Sequence, residues 1–288
     1  MRAGLNVSRV VRIGLILAAA AACSSPSATP GATCAGSPAA PDQACVLRVE
    51  GTVTDLAGAP VPKAGVSMCS RICYGAAAGA DGRFSIPVGA WLRASDYALH
   101  VSGRPGFGDV YTKVAAPTAG AITLPSAIRL PALPPSGPAL PAAAGPAAQL
   151  TAGDVTLDLP AGVTFVLDVA DLELGAPGRQ LRAATVPLDA APDFTRGIAG
   201  VVALVALAPS GAVASAPLGV HLPNGSGLPA GASLDVYVLD DDYRPLPPTA
   251  GAARRVAKAH VSADGRTLTT DEGQGISNLT WLVVARAP

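Results

Sequence analysis

The sequence predicts an all-β protein in which two tandem β-sandwich domains follow an N-terminal leader and a flexible tether. Short runs of alternating apolar and polar residues, such as residues 84–88 and 155–159, are typical of half-buried strands. Gly, Asp and Pro separate these runs, with strong turn signals at residues 80–83 and 263–266. No convincing amphipathic helix pattern appears after residue 23.

Residues 1–22 have the features of a signal peptide. They include Arg2, Arg9 and Arg12 and no acidic residue, and an apolar run follows over residues 13–22. About ten apolar residues are too few to span a bilayer but suit the core of a signal peptide. A buried N-terminal helix is disfavoured, because nothing in this run alternates polar with apolar residues.

Small residues precede Cys23, and Ser24, Ser25 and Pro26 begin a polar stretch. This arrangement resembles the lipobox of bacterial lipoproteins, with Ala20 at the position where leucine is usual. The resemblance implies a signal/lipoprotein leader, a lipid on the thiol of Cys23, and anchoring to a membrane of the cell envelope. Ser24 fits sorting to the outer membrane. The alternative is ordinary signal-peptidase cleavage, which leaves Cys23 unmodified.

Four further cysteines, Cys34, Cys45, Cys69 and Cys73, predict two disulfides in an exported chain. If residues 69–73 form a continuous strand, the sulfurs of Cys69 and Cys73 lie about 13 Å apart, too far to bond. Each would then pair with Cys34 or Cys45. A zinc site is the alternative, although this spacing fits no common zinc finger.

Residues 23–44 are rich in Ser, Ala, Pro, Gly and Thr, a composition that predicts a flexible tether. From residue 45 strand-like runs begin. The segments GTVTDLAGAPVPKAGVSMC, GADGRFSIPV and YALHVSG resemble the carboxypeptidase regulatory-like domain, with Lys63-Ala64-Gly65-Val66 in place of its Gly-Ala-x-Val. The resemblance covers residues 45–133 and implies a transthyretin-like β-sandwich, an accessory module that carries no catalytic zinc ligands.

Pro131 and the five prolines within residues 134–150, mixed with alanine and glycine, mark that segment as a semi-rigid linker. Residues 151–288 again show strand patterns and predict the second β-sandwich. The unbroken apolar run at residues 201–207 predicts a central strand buried on both faces. This part of the chain weakly resembles the ZU5-like sandwiches of bacterial surface proteins, a resemblance from which no function follows. A faint repeat, LPAG at 159–162 and 228–231, is explained equally well by chance and by duplication.

The charge pattern argues against nucleic acid as a partner. Removing residues 1–22 takes away three positive charges, so the formal net charge falls from 0 to −3. Neither half of the remaining chain therefore presents a basic nucleic-acid surface. Within it, no stretch reaches 18 uninterrupted apolar residues, so no second membrane segment is predicted.

The sequence shows no catalytic or cofactor motif. His100, His221 and His260 fall in separate strand-like segments without metal-ligand spacing. His100 and His221 flank apolar strand residues and are each expected to be solvent-facing or satisfied by hydrogen bonds. Trp91 and Trp281 lie among apolar residues, which favours core packing over a sugar-stacking platform. No catalytic residue and no cofactor is therefore predicted.

Asp240, Asp241 and Asp242 form the one acidic cluster and are weak candidates for a calcium site. The spacing matches no EF-hand, and such a cluster is more often a solvated loop, so no firm metal site is predicted.

The sequence thus predicts a non-catalytic, lipid-anchored envelope protein that binds or scaffolds another envelope protein. Carbohydrate or cell-wall binding is the alternative, which an exposed aromatic pair in a groove would favour. A hydrolase is the third hypothesis, and it requires His, Asp and Ser side chains distant in sequence to converge in one pocket.

Overall fold

β-Strands account for almost all regular structure in the computed structural model, which describes residues 34–69, 72–93, 98–113, 119–240 and 251–288. The described chain also contains one short α-helix, α1 (Val169–Glu173), and three single-turn 3-10 helices. The all-β class predicted from the alternating pattern is confirmed. The leader, Cys23 and Ser24 lie outside the described residues. No helix in the described ranges is long and apolar enough to cross a membrane.

The first half of the chain forms two four-stranded sheets. Its strands are β1 (Ala44–Asp55), β2 (Gly65–Cys69), β3 (Cys73–Ala77), β4 (Arg83–Leu92), β5 (Ala98–Ser102), β6 (Val110–Lys113), β7 (Gly120–Thr123) and β8 (Ile128–Leu130). In one sheet β1 is antiparallel to β4 and pairs in parallel with β7 and then β8 along its length. The other is antiparallel, in the order β3-β2-β5-β6.

A first core lies between these two sheets. Val49 and Val53 of β1 and Ile86 of β4 alternate with more exposed neighbours, as a period of two requires. Met68 of β2 and Leu99 of β5 join the same buried cluster. Burial of one face of each sheet gives the sandwich that the sequence predicts.

The second half forms one sheet of eleven strands. They are β9 (Ala148–Ala152), β10 (Val155–Leu159), β11 (Phe165–Val166), β12 (Arg182–Thr185), β13 (Val201–Ala208), β14 (Ala212–Pro223), β15 (Ser233–Leu239), β16 (Ala253–Val261), β17 (Thr267–Thr270), β18 (Ile276–Leu279) and β19 (Trp281–Arg286). The main path is β12-β13-β19-β15-β16-β17-β14-β10-β9, with β11 and β18 paired to β14. Only Thr280 separates β18 from β19, so the sheet bends back around a second core.

The strands β13, β15 and β19 lie between the two cores. In β13, Val205 and Leu207 belong to the second core, whereas Leu204 and Ala206 belong to the first. β19 divides in the same way, with Trp281 and Val283 in the first core and Leu282 and Val284 in the second. The prediction of a central strand buried on both faces at residues 201–207 is confirmed for its second part, Leu204–Leu207.

The proline-rich segment 134–150 lies against the second half of the molecule. Leu140 is buried and its N–H donates to Arg179 O (2.8 Å), while Leu181 N–H donates to Pro138 O (2.8 Å). Strand β9 begins inside the segment, at Ala148. The domain boundaries stay a prediction, but the described chain forms one compact unit with a core shared between its halves.

Both disulfides are present, but their pairing differs from the sequence-based argument. Cys34 bonds to Cys45, and Cys69 bonds to Cys73. The assumption of a continuous strand at 69–73 was wrong, because the chain reverses there. Cys69 and Cys73 face each other across the β2–β3 hairpin with Cα atoms 4.1 Å apart. The Cys34–Cys45 bond ties the last part of the expected tether to the start of β1.

Candidate functional site

A buried ionic cluster joins the two halves of the molecule. Arg104 follows β5, and its side chain is 12 % exposed. Its Nε and Nη2 donate to Asp109 Oδ2 at 2.9 and 2.7 Å, and Nη1 donates to Asp168 Oδ2 at 2.8 Å. Nη2 also donates to Ser210 O (3.1 Å), and Asp171 Oδ2 lies 3.3 Å from Nη1. We call Arg104, Asp109, Asp168 and Asp171 the junction cluster.

Local structure sets the positions of the two carboxylates from the second half. Asp168 is the N-cap of α1 and accepts from Ala170 N through Oδ1, which leaves Oδ2 for Arg104. Asp171 lies in the first turn of α1, three residues on, so both side chains reach the same guanidinium. One capped helical turn thus presents two acids to Arg104.

Burial and charge act in opposite directions on the pKa values of the cluster. Burial raises the pKa of Asp171 to about 6; Arg104 partly offsets this increase, and Asp109 and Asp168 add to it. For Asp109 burial opposes ionisation, but hydrogen bonds and charge from His100 and Arg104 outweigh it and lower the pKa. Burial also opposes the charge of Arg104, but its carboxylate neighbours raise its pKa.

Aromatic and polar side chains around the junction cluster make further contacts with it. His100 Nε2 lies 3.1 Å from Asp109 Oδ2, and its ring stacks on Tyr111 with centroids 4.3 Å apart. Trp281 Nε1 donates to Asp109 O (2.6 Å), and Arg182 Nη1 donates to Pro105 O. Because its groups are engaged with one another and shielded from solvent, the cluster acts as a clamp between the halves.

An exposed polar row crosses the large sheet. Successive register partners place six polar side chains side by side on one face of β9, β10, β14, β17, β16 and β15. This sheet-face row consists of Thr151, Thr156, His221, Thr269, His260 and Ser233. Their strand neighbours Leu157, Val220 and Leu268 point into the second core. Opposite side chains in adjacent strands stand close enough to hydrogen-bond, so the row is an ordered polar surface.

Two histidine–aspartate pairs lie along this row. His221 Nε2 is 2.5 Å from Asp158 Oδ2 and its Nδ1 is 3.2 Å from Thr269 Oγ1. His260 Nδ1 is 2.8 Å from Asp271 Oδ1. Burial opposes ionisation of Asp158, but hydrogen bonds from His221 and Gln149 outweigh it and lower its pKa.

The Thr269–His221–Asp158 connectivity has the order of a nucleophile, a base and an acid. Acyl transfer also needs N–H donors directed at the developing oxyanion. Backbone N–H groups of paired strands lie in the plane of the sheet and take part in its ladder, so they do not point at this face. Asp158 is 43 % exposed, which weakens its electrostatic effect on His221. The arrangement therefore suits binding of polar groups better than acyl transfer.

Two adjoining cavities form a cleft between the halves of the molecule, with volumes of about 800 and 500 Å³. Thr112, Asp193 and Arg196 line both cavities. The larger one also contains Tyr237 and Arg286. We call this feature the junction cleft; the 3-10 turns around residues 188–195 form one wall of it.

Three arginines line the junction cleft: Arg196 in both cavities, Arg286 in the larger one and Arg129 in the smaller one. Arg196 pairs with Asp193 at 2.7 Å, and both side chains are well exposed. Arg286 is exposed and makes no ion pair with any residue that the structure describes. A partner carboxylate can replace Asp193 at Arg196 at little cost, because exposed ion pairs contribute little.

The structure places the remaining sequence-predicted residues as follows. Asp240 Oδ1 accepts from Arg254 Nε (2.9 Å), while Asp241 and Asp242 lie outside the described residues. No group of three or more His, Cys, Asp or Glu in the described ranges could hold a metal ion. Trp281 is buried, and half-buried Trp91 donates to Gly36 O (3.2 Å). His100 and His221 have hydrogen-bond partners, as expected, and so does His260.

Neither the junction cluster nor the sheet-face row was predicted from the sequence. Asp168 followed by Asp171 is a recognisable helix-start signal, but the helix is five residues long and falls in a β-rich stretch. A scan of the chain against protein-family models finds no match, and a search of the curated proteins finds none either.

Proposed function

We propose that this chain is a non-catalytic, lipid-anchored protein of the cell envelope, sorted to the outer membrane, that binds another envelope protein. The lipobox-like sequence around Cys23 supports the location in the cell envelope. The resemblance of residues 45–133 to the carboxypeptidase regulatory-like domain supports an accessory role. The junction cleft is the observation that carries the binding function.

The residue types in the junction cleft support a protein partner. Arginine and tyrosine carry a large share of the binding energy at protein interfaces, above all in concave sites. Arg196, Arg286 and Tyr237 occur there together around about 800 Å³ of open space. The two guanidinium groups favour carboxylates as ligands, since each guanidinium can form two parallel hydrogen bonds with one carboxylate. The partner is therefore proposed to insert an acidic segment.

In-cell crosslinking of the anchored protein, followed by mass spectrometry of what co-purifies, tests the proposal. We expect one dominant protein partner whose yield falls at least tenfold with Arg286→Ala and with Arg196→Ala. Arg83→Ala is the matched control, because it removes an arginine that is 80 % exposed and lines neither cavity. Cys23→Ser should release the protein from the membrane fraction.

The outcomes separate the parts of the proposal. A partner whose yield is equally insensitive to the cleft variants and to Arg83→Ala contradicts the assignment to the junction cleft. Retention of Cys23→Ser in the membrane fraction contradicts lipid anchoring through that residue.

Carbohydrate or cell-wall binding is the second candidate, and the sheet-face row favours it. Hydroxyl, imidazole and carboxylate groups across six strands offer donors and acceptors that match the hydroxyl groups of a glycan. Binding to insoluble cell-wall material should then be lost in the double variant Thr156→Ala/His221→Ala. Ser85→Ala, which removes a hydroxyl from β4 in the first half, should leave it unchanged. Equal retention of both variants on the material contradicts this candidate.

A further inference from the structure

The two disulfides differ in the exposure of one cysteine each. Cys73 is exposed and Cys69 is half-buried, whereas Cys34 is 6 % exposed. We propose that Cys69–Cys73 is a thiol-exchange site, which an external dithiol reduces in the folded protein while Cys34–Cys45 stays intact. This inference is independent of the binding function proposed above.

The position of Cys69–Cys73 in the sheet makes it accessible. Val66 and Met68 of β2 point into the first core, so Cys69, on the opposite side of the strand, points outward. Cys73 begins β3, which is the edge strand of its sheet. The bond thus lies on the outer face at the end of a hairpin, where a reagent can approach without opening the core.

Cys34–Cys45 is protected by its surroundings. Cys34 is buried and its N–H donates to Cys45 Sγ (3.0 Å). Cys45 is half-buried in β1, directly before Val46, which is fully buried in the first core. Attack on this bond requires the segment before β1 to move away first, and exchange rates depend on such access.

The exchange balances with a dithiol as the co-reactant. A thiolate of the dithiol attacks Sγ of Cys73, the more exposed cysteine, and forms a mixed disulfide; Cys69 leaves as a thiolate and takes a proton from water. The second thiol of the reagent then attacks its own sulfur in the mixed disulfide and releases Cys73 as a thiolate, which is protonated in turn. Two electrons pass to the protein disulfide, and the dithiol is oxidised to a cyclic disulfide.

Graded reduction of the folded protein with dithiothreitol, quenched by iodoacetamide, tests the proposal. Trypsin cuts after Arg71, so Cys69 and Cys73 fall on different peptides, and mass spectrometry resolves them from Cys34 and Cys45. We expect Cys69 and Cys73 to be alkylated at least ten times faster than Cys34 and Cys45. In denaturant this difference should shrink to a small factor, because the protection of Cys34 is then lost.

Amide hydrogen exchange of the selectively reduced protein gives a second readout. Exchange should rise in the β2–β3 hairpin and stay unchanged in β1 and in the large sheet. Equal alkylation rates in the folded protein, or earlier alkylation of Cys34 and Cys45, overturn the proposal. Resistance of both bonds in the folded protein, at a dithiothreitol concentration that reduces both in denaturant, overturns it as well.

Discussion

Asp171 is the carboxylate of the junction cluster with the weakest partners. Its Oδ2 lies 3.3 Å from Arg104 Nη1 but accepts no hydrogen bond from any residue that the structure describes. Asp109 and Asp168, by contrast, each accept directly from Arg104. A buried acid in this situation favours its neutral form, which agrees with its raised pKa of about 6.

The raised pKa of Asp171 predicts a pH-dependent effect of Asp171→Asn. The folded protein binds the Asp171 proton more tightly than the unfolded chain does, so this residue lowers stability as pH rises from about 4 to above 6. An increase of roughly two in the pKa on folding changes the free energy of unfolding by about 3 kcal/mol at most. Urea unfolding measures the free energy of unfolding of Asp171→Asn minus that of the parent protein. This difference should therefore be more favourable to the variant at pH 7.5 than at pH 4.5.

Asp109→Asn is the control for this experiment. The pKa of Asp109 is lowered on folding, so its charge stabilises the protein above its unfolded pKa and that contribution is lost as pH falls. Both pH 7.5 and pH 4.5 lie above the ordinary aspartate pKa of about 3.8, so Asp109→Asn should cost nearly the same at the two pH values. An effect of Asp171→Asn that is the same at both pH values contradicts the assigned pKa.

Arg104→Met tests the clamp itself. The substitution keeps an apolar stem of similar length but leaves Asp109, Asp168 and Asp171 buried without their cation. Removing one partner of a buried ion pair costs about 3–5 kcal/mol, so the free energy of unfolding should fall by this amount. Arg83→Met, at an exposed pair with Asp81, should change it by less than about 0.5 kcal/mol. Similar losses for both variants in chemical denaturation argue against a clamp.

At the scale of elements, the segment 134–150 contains a matched pair of glycines. A Cβ at Gly137 would overlap Leu181 O, whereas one at Gly145 meets nothing within 4 Å. Gly137→Ala should therefore cost about 1–3 kcal/mol, the usual cost of overpacking. Gly145→Ala should be neutral or stabilise by up to about 1 kcal/mol through the unfolded chain.

Thermal unfolding of both variants measures this difference. Equal melting temperatures for the two variants would show that the contact of this segment with residues 179–181 does not stabilise the protein. The segment would then behave as a free linker.

Period-two patterns predicted individual strands well, because alternation reports directly on one buried face. Residues 155–159 and 84–88 are strands, and the Asp-Gly pairs at 81–82 and 264–265 lie in turns with Gly at positive φ. The reversal after Cys69 was missed, because Ser70-Arg71-Ile72 contains no Gly, Pro, Asn or Asp, and serine is a weaker turn signal than these. The sheet-face row was missed for another reason: the register of six strands brings it together, and no local pattern encodes that register.

At the scale of the whole molecule, the shared core makes the two halves interdependent. Phe194, Leu204, Trp281 and Val283 of the second half are buried in the first core, and Phe194 contacts the Trp281 ring edge-on at 5.4 Å between centroids. The sequence did not predict this shared core, since the apolar pattern of a strand does not indicate which sheet it packs against.

This dependence predicts that residues 34–133 do not fold alone. The isolated fragment exposes the face that Leu204 and Trp281 cover, and burial of such side chains contributes roughly 1.5–3 kcal/mol each. We expect weak near-ultraviolet circular dichroism and poor proton dispersion in its NMR spectrum. The complete chain should unfold in one calorimetric transition with equal calorimetric and van't Hoff enthalpies.

Residues 134–288 expressed alone provide the comparison, because all residues of the second core, including Leu140, lie within that range. A fragment 34–133 with dispersed resonances and cooperative unfolding would show that the first sandwich is an independent domain after all.

The position of β19 also has a consequence for biosynthesis. This strand, residues 281–286, lies between β13 and β15 and supplies Trp281 to the first core, although β1 is made more than 220 residues earlier. Chains grow at roughly 5–20 residues per second, so the first sheets wait on the order of ten seconds or more for the residues that complete them. During that interval the nascent chain exposes apolar surface that Trp281 later covers. A chaperone bound to this surface can dissociate once Trp281 has been synthesised and packs into the first core.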